Sequence, residues 1–206
     1  MRLMGMFLIL SFSHFPVFLA SCSESEDEEA NEYSNWQARN EAYWLSMDDS
    51  LSRGGTAWRK IKSYTKDPTT EAATTEYIYV KVLETGHETE SPLYTDTVRV
   101  SYRGRLIPSA QHAAGYVFDQ TYRESFSWEA TGVSYGVASG YVEGFTTALM
   151  QMHRGDRWRV YIPYQLGYNA VVKTGIPAYS TLIFDLALVD FWHPGETKGA
   201  WAARRH

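Results

Sequence analysis

The sequence predicts an α+β fold, with an antiparallel sheet, one short helix lying on it and an N-terminal helical extension. Several segments in the second half of the 206-residue chain alternate apolar and polar side chains with a period of two, as strands with one buried face do. One segment among them has apolar residues at helical spacing, and another helical pattern precedes the strands. A sheet with segregated helices is the α+β arrangement.

The beginning of the chain has the pattern of a bacterial export signal that ends at a lipid-attachment site. Residues 7–20 are almost entirely apolar and follow the basic residue Arg2. Pro16 and the short length of the run argue against a membrane-spanning helix. The run ends in Leu-Ala-Ser-Cys, which resembles a lipobox, and Cys22 is the single cysteine of the chain. We predict a lipoprotein signal peptide at 1–21 with lipid attachment at Cys22; the alternative is an ordinary signal peptide with a chance cysteine.

Residues 22–33 are predicted to form an acidic tether. The run Ser-Glu-Ser-Glu-Asp-Glu-Glu follows Cys22, and a charged, serine-rich segment of this kind cannot bury itself. The residue after Cys22 is Ser23 rather than aspartate, which in Gram-negative lipoproteins indicates the outer membrane. The predicted location is therefore the cell envelope, on its periplasmic or surface face, with the lipid as the sole membrane anchor.

Residues 34–90 are predicted to form the helical extension and a leading strand. Ser34 and Gln37 have the spacing of a capping box, and we expect a helix over about 35–47. Its aromatic side chains either pack against the domain or mediate dimerisation. The segment 57–61 fits a helix or a strand, and residues 77–83 alternate as a strand does.

The second half of the chain is predicted to hold the remaining strands and one helix. Phe145, Leu149 and Met152 follow helical spacing, with Gly155 as the stop. Asp185 lies among apolar residues and is expected to be a buried polar anchor. The predicted strands are 97–103, 115–118, 125–128, 157–162 and 181–188.

Several functional classes find little support in the sequence. A formal charge of −5 gives no reason to expect nucleic acid as a partner. One cysteine allows neither an intramolecular disulfide nor a thiolate zinc site. Residues 132–136 match G-x-S-x-G, but a nucleophile elbow needs a strand before Ser134 and a helix after it. We interpret this motif as a plain loop.

Six blocks of the second half resemble one known family in their order along the chain. They are residues 98–106, 116–119, 142–152, 155–163, 166–168 and 176–188. In this order they are similar to the FKBP-type peptidyl-prolyl cis/trans isomerases, here in a Bacteroides-like lipoprotein form. The resemblance implies an FKBP-like bent antiparallel sheet wrapped around one short α-helix, as a domain at 91–193 followed by a tail at 194–206.

The resemblance also implies a pocket with defined residues and with neither a metal nor a cofactor. Val142 would contribute a backbone N–H donor, Phe145 the floor and Tyr168 a hydroxyl donor. The floor is tryptophan in most of the family, and Asn169 stands where the family has glycine. The residues implied as catalytic are Tyr102, Phe118, Asp119, Tyr168 and Phe184. The residues implied as substrate-binding are Phe126, Val142, Phe145 and Ile176.

The function that the resemblance implies is isomerisation of X–Pro bonds during folding of exported proteins. The partners would be proline-containing peptides or unfolded exported proteins, and macrolide immunophilin ligands would fit the same pocket. Two alternatives stay open. The domain could bind peptides with weak or no catalysis, since Phe145 and Asn169 depart from the family pattern. The chain could also be an unrelated surface-anchored interaction protein whose resemblance is superficial.

Overall fold

A computed structural model describes residues 32–53, 55–129 and 131–196 of the chain. The predicted signal peptide at 1–21, Cys22 and most of the predicted tether and tail lie outside these ranges. In the part of the chain that the structure describes, no helix is both long and apolar enough to cross a bilayer.

Seven antiparallel strands form one sheet within the described residues, which confirms the predicted α+β class. The order across the sheet is β1-β2-β6-β7-β3-β4, and β5 also pairs with β3. The strands are β1 (Trp58–Lys62), β2 (Tyr77–Glu84), β3 (Thr97–Arg105), β4 (Val117–Gln120), β5 (Ser134–Val137), β6 (Arg157–Ile162) and β7 (Leu182–Trp192). The segment 57–61, which fitted a helix or a strand, is therefore mostly strand.

The predicted strand at 125–128 is wrong, and β5 was not predicted. The segment 125–128 runs through bends and turns. One reason lies in β3, where Nη2 of Arg103 donates to the carbonyl oxygens of residues 122, 123 and 124 at 2.6–3.0 Å. This guanidinium holds the backbone in a curved path just before the segment. The strand next to the first half of β3 is instead β5, whose Ser134 pairs with Val100.

Two helices of the described residues are α1 (Trp36–Arg53) and α2 (Glu143–Leu149). The first begins after the predicted Ser34 cap and runs past the predicted end at 47. Within this helix the Gln37 side chain donates to Oε1 of Glu41 at 2.9 Å. The second helix ends before Met152 and Gly155, which lie in the turns that lead to β6.

The two helices lie on opposite faces of the sheet. Trp44 of α1 stacks on Tyr79 of β2, with ring centroids 4.4 Å apart. The adjacent β2 residue, Ile78, contacts Gly144 of α2, where an added Cβ would be 3.1 Å from its Cγ2. Successive residues of a strand point to opposite faces of the sheet. Because Tyr79 contacts α1 and Ile78 contacts α2, the two helices lie on opposite faces. The N-terminal extension thus packs against the domain, as one of the two open alternatives predicted.

Hydrogen bonds connect α1 to the segment that enters β7. The indole Nε1 of Trp36 donates to Oγ of Ser180 at 2.8 Å. The backbone N–H of Thr181 donates to Oδ1 of Asn40 at 2.7 Å, and both residues are almost fully buried. Since a buried N–H needs an acceptor, Asn40 fixes the start of β7 and the loop before it.

Asp185 is the buried polar anchor that the sequence predicted. It lies in β7 and is 8% exposed. Arg159 of β6 donates to Oδ1 of Asp185 from Nε at 2.6 Å, and Nη2 of Arg105 in β3 is 3.1 Å from its Oδ2. The buried carboxylate of Asp185 and its two guanidinium partners thus connect β6, β7 and β3. Because successive residues of a strand point to opposite faces, this cluster lies on the other face of the sheet from Phe184.

Candidate active site

A cavity of about 650 Å³ lies between α2, the sheet and the loop that follows β6. It brings together eight of the nine residues that the sequence predicted for the pocket. These are Tyr102, Phe118, Asp119, Val142, Phe145, Tyr168, Ile176 and Phe184. They come from β3, β4, α2, β7 and the 168–176 loop, so the sheet and helix together position the site.

The wall of this cavity is a cluster of aromatic rings centred on Phe184. Its ring centroid lies 5.0 Å from that of Phe145, 5.5 Å from that of Phe118 and 6.0 Å from that of Tyr102. All three pairs are close to perpendicular, the edge-to-face geometry that aromatic quadrupoles favour. Phe145, to which the resemblance assigned the floor, lines the cavity and is 2% exposed.

Gly104 of β3 makes this ring cluster sterically feasible. A Cβ at this position would lie 2.6 Å from ring atoms of both Phe118 and Phe184. Carbon atoms do not approach so closely without a shift of one partner. The absence of a side chain at Gly104 therefore lets two rings from β4 and β7 meet over the backbone of β3.

The polar part of the wall is the pair Tyr102 and Asp119. The Tyr102 hydroxyl donates to Oδ2 of Asp119 at 2.7 Å. Strand pairing produces this contact, because β3 and β4 run side by side and Gly104 pairs with Asp119. Burial raises the pKa of Tyr102, and the hydrogen bond to Asp119 and its charge add to the rise. The hydroxyl therefore stays protonated and remains a donor.

Tyr168 lies across the cavity on the loop after β6. Burial and the charge of Asp119 raise the pKa of Tyr168 above its ordinary value of 10, so its hydroxyl also remains a neutral donor. The next residue, Asn169, has φ of +54° and its N–H donates to the Tyr164 carbonyl at 2.8 Å. Asparagine tolerates this left-handed conformation better than most residues, which explains how it replaces the glycine of the family pattern.

Val142 is the residue before the first turn of α2. Its backbone is extended, with φ of −61° and ψ of 150°, and its carbonyl accepts from the N–H of Phe145 and of Thr146. The first N–H groups of a helix have no acceptor within it. Val142 lines the cavity at this end of α2, where the resemblance implies a backbone donor.

Phe126 does not line the cavity that holds the other eight predicted pocket residues. Its ring packs edge-on against Trp128 at 4.9 Å and Tyr122 at 5.7 Å, and the Arg157 guanidinium lies 4.4 Å from its centroid. The carbonyl contacts of Arg103 direct this loop along a path of its own. Because the loop takes a different path, the residue at this sequence position does not reach the cavity.

Sequence reasoning missed four cavity residues, Gly140, Tyr141, Lys173 and Thr174. The Tyr141 ring stacks on Phe145 with centroids 4.6 Å apart, and burial raises the pKa of its hydroxyl. An aromatic residue next to Val142 was a usable signal. Nζ of Lys173 lies 5.6 Å from the ring centroid of Tyr168. Nothing in the pattern of an exposed loop indicated that this lysine reaches the cavity.

Ser134 does not have the geometry of a nucleophile elbow. It begins β5, and a short 3₁₀ turn at 138–140 rather than an α-helix comes next. Its hydrogen bond to Tyr141 lowers the pKa of that tyrosine somewhat, although burial dominates. The motif therefore supports the wall of the aromatic cavity. Within the described ranges, no group of three or more histidine, cysteine, aspartate or glutamate side chains is arranged to hold a metal ion.

Comparison with known proteins identifies the same region. A family model described as FKBP-type peptidyl-prolyl cis-trans isomerase matches residues 88–189. The chain is 32% identical over 131 residues to the Escherichia coli protein FkpA, an alignment that covers 63% of this chain and 43% of that one. It is 34% identical over 116 residues to the macrophage infectivity potentiator of Trypanosoma cruzi, covering 56% and 53%. The chain thus spans about half the length of these relatives.

Solved structures agree with the fold. The crystal structure of E. coli FkpA aligns with a TM-score of 0.53 and 26% identity, covering 81% of this chain and 65% of that one. A peptidyl-prolyl cis-trans isomerase from Pseudomonas syringae aligns with a TM-score of 0.55 over 78% of this chain and 96% of that one. At 20% identity, this second match supports the fold alone.

Proposed function

Residues 88–189 form an FKBP-type peptidyl-prolyl cis-trans isomerase domain, and from that premise we propose that this chain catalyses the rotation of X–Pro peptide bonds. The observation that carries the proposal is the aromatic cavity. Eight residues implied by the family pattern converge there from distant parts of the sequence.

An apolar cavity of this kind suits a reaction in which no covalent bond breaks. Rotation about the X–Pro amide has a barrier of roughly 20 kcal/mol, because the amide loses its resonance as it twists. The twisted amide has a less polar carbonyl than the planar ground state. A site walled by Phe118, Phe145 and Phe184 would favour the twisted form relative to the planar one. Each ~1.4 kcal/mol of such preference gives about tenfold in rate.

The polar groups of the cavity would orient the peptide. The Tyr168 hydroxyl and the backbone donor at Val142 would hold the carbonyl groups that flank the prolyl bond. Asp119 already accepts from Tyr102, so this pair would form a fixed polar edge of the pocket. Ile176 would close the apolar wall from the loop side, where it is 5% exposed.

We propose that the substrates are unfolded exported proteins and that the chain is lipid-anchored through Cys22 in the cell envelope, at the outer membrane. The support is the sequence pattern of residues 1–29. Incorporation of an alkyne-tagged fatty acid into the wild-type chain, and its loss in Cys22→Ser, is the expected outcome. Tagging that survives this substitution would contradict the anchor.

The catalytic proposal is tested by following isomerisation of a proline-containing peptide with the purified chain. We expect acceleration above the uncatalysed rate, and inhibition by a macrolide ligand of the family. Peptide binding with no acceleration would favour the alternative, a peptide-binding lipoprotein without turnover. The observation in favour of that alternative is Phe145, which gives the floor a smaller ring than the tryptophan usual in the family.

A further inference from the structure

A second hollow of about 760 Å³ lies beside the aromatic cavity. The two share Lys173 and Ile176, which form the ridge between them. The other residues that line the second hollow are Glu32, Tyr33, His112, Tyr116, Val172, Gly175, Pro177 and Ala178. It is therefore built from residues 32–33, which the sequence assigned to the tether, and from the loops before β4 and β7.

The walls of the second hollow are held in place by specific contacts. The carboxylate of Glu32 accepts from the Ser109 hydroxyl and lies 2.9 Å from Nδ1 of His112. The His112 ring in turn packs edge-on against Tyr116 at 5.2 Å. These contacts fasten the loop before β4 to Glu32.

Two apolar side chains that line the second hollow are open to solvent, beside the exposed Lys173 and His112. Val172 is 69% exposed and Tyr116 is 37% exposed. Glu32 is 9% exposed and already bonded to Ser109 and His112, so its charge is not offered to a ligand. Large apolar side chains exposed beside a candidate site are typical of a binding surface. An apolar side chain of a bound peptide would pack against them.

We propose that the second hollow is a subsite for the same peptide chain, and that it binds a large apolar or aromatic residue a few positions from the proline. The inference rests on the proposed function and on the continuity of the two hollows across Lys173 and Ile176. An extended peptide advances about 3.3 Å per residue. A chain whose proline occupies the cavity thus crosses this ridge within a few residues, and the hollow selects among prolyl substrates by their flanking sequence.

Adjacent valines provide a matched test. Val172 lines the second hollow, whereas Val171 is 53% exposed on the same loop and does not line it. Val172→Asp and Val171→Asp change the net charge equally, and both sites are exposed enough that folding should be retained. The substrates are pairs of neutral peptides that each contain one proline. The two peptides of a pair differ at one position, which holds either phenylalanine or serine. This position is two, three or four residues before or after the proline. NMR exchange measures kcat/KM without an auxiliary protease.

In the wild-type chain, phenylalanine at one of these positions should raise kcat/KM by at least about threefold over serine, since burying one methylene-sized group gives roughly fourfold. Val172→Asp should reduce this ratio to near one, and Val171→Asp should preserve it. Equal ratios for the two variants, or no preference at any position, would overturn the subsite. If the subsite is overturned but the wild-type chain still accelerates the serine peptides, the proposed isomerase function stands. If the wild-type chain accelerates none of the peptides, the proposed isomerase function is wrong as well.

Discussion

Gly104 is the residue on which the geometry of the aromatic cavity depends most directly. Gly104→Ala would place a Cβ 2.6 Å from the rings of Phe118 and Phe184, and at least one ring must move. We expect a loss of about 1–3 kcal/mol in the free energy of unfolding, typical of overpacking, together with a lower kcat/KM. Denaturant unfolding and the peptide assay measure the two effects.

Gly140→Ala is the stability control for this substitution. Gly140 lines the same cavity, but an added Cβ there would meet no atom within 4 Å. Its free energy of unfolding should change by less than about 1 kcal/mol. Equal destabilisation by the two substitutions would show that crowding of the rings is not the cause.

The hydroxyl of Tyr168 should contribute to catalysis without contributing to folding. Tyr168→Phe removes one donor from the cavity, and a hydrogen bond of about 1 kcal/mol corresponds to about a fivefold lower kcat/KM. Tyr164→Phe is the matched control, because the Tyr164 hydroxyl contacts Glu41 outside the cavity at 3.2 Å. A Tyr168→Phe variant as active as the wild type would remove this hydroxyl from the mechanism.

At the residue scale, the sequence predicted the strand residues of the cavity and also the loop residues Tyr168 and Ile176, but Phe126 lies elsewhere. Tyr102 and Phe184 are on strands whose alternation fixes the face they occupy. Phe126 depends on the path of the 121–133 loop, which Arg103 directs through three carbonyl contacts. No local pattern in the sequence encodes a contact between Arg103 and a carbonyl group some twenty residues away.

At the scale of elements, the contact between α1 and β7 should be important for stability. Asn40→Ala would leave the buried N–H of Thr181 without its acceptor, at a cost of roughly 1–3 kcal/mol. The exposed Gln37→Ala on the same helix should change stability by no more than about 0.5 kcal/mol. Thermal or denaturant unfolding distinguishes them. Similar values for both variants would mean that α1 does not hold the start of β7.

The contact between Glu32 and the loop before β4 should depend on pH. Burial alone would raise the pKa of Glu32, but hydrogen bonds from His112 and Ser109 and the charges of His112 and Arg39 outweigh it and hold the pKa below the ordinary 4.5. A carboxyl with a lowered pKa stabilises the folded state above its unfolded pKa and loses that contribution as pH falls through its folded pKa.

Glu32→Gln should therefore be less stable than the wild type at pH 7, by about 1 kcal/mol. The difference should shrink toward zero as the pH falls below 4.5 and through the folded pKa of Glu32, which unfolding curves at several acidic pH values would measure. A difference that stays constant over this range would contradict the assigned role of the charge.

The prediction of strands was correct where an apolar pattern extends over many residues, and it missed the short strand β5. Strands β2, β3, β6 and β7 each have six or more residues rich in apolar side chains, and all four were predicted. Strand β5 has four residues with a glycine among them, so its pattern was indistinguishable from a turn. Residues 134–137 form a strand because they pair with β3, although their own sequence does not favour one.

At the scale of the whole molecule, α1 buries apolar side chains against the sheet of the FKBP-type domain. Trp36, Trp44 and Met47 are each no more than 5% exposed and belong to the same buried cluster as Phe145 and the strands. The family resemblance did not cover this extension, and the sequence left open whether it packs on the domain. Its position against the sheet also lets Glu32 and Tyr33 extend the surface beside the cavity.

The central claim is that the aromatic cavity accelerates prolyl rotation, and one pair of variants tests it most directly. Phe118 lines the cavity and Phe126 lies outside it, although both are half-buried phenylalanines that the family pattern assigned to the pocket. NMR exchange on one prolyl peptide would measure kcat/KM for Phe118→Ala and Phe126→Ala. We predict a loss of at least about tenfold for Phe118→Ala, or ~1.4 kcal/mol, and a change within about twofold for Phe126→Ala. Equal losses, or no acceleration by the wild-type chain, would contradict the account.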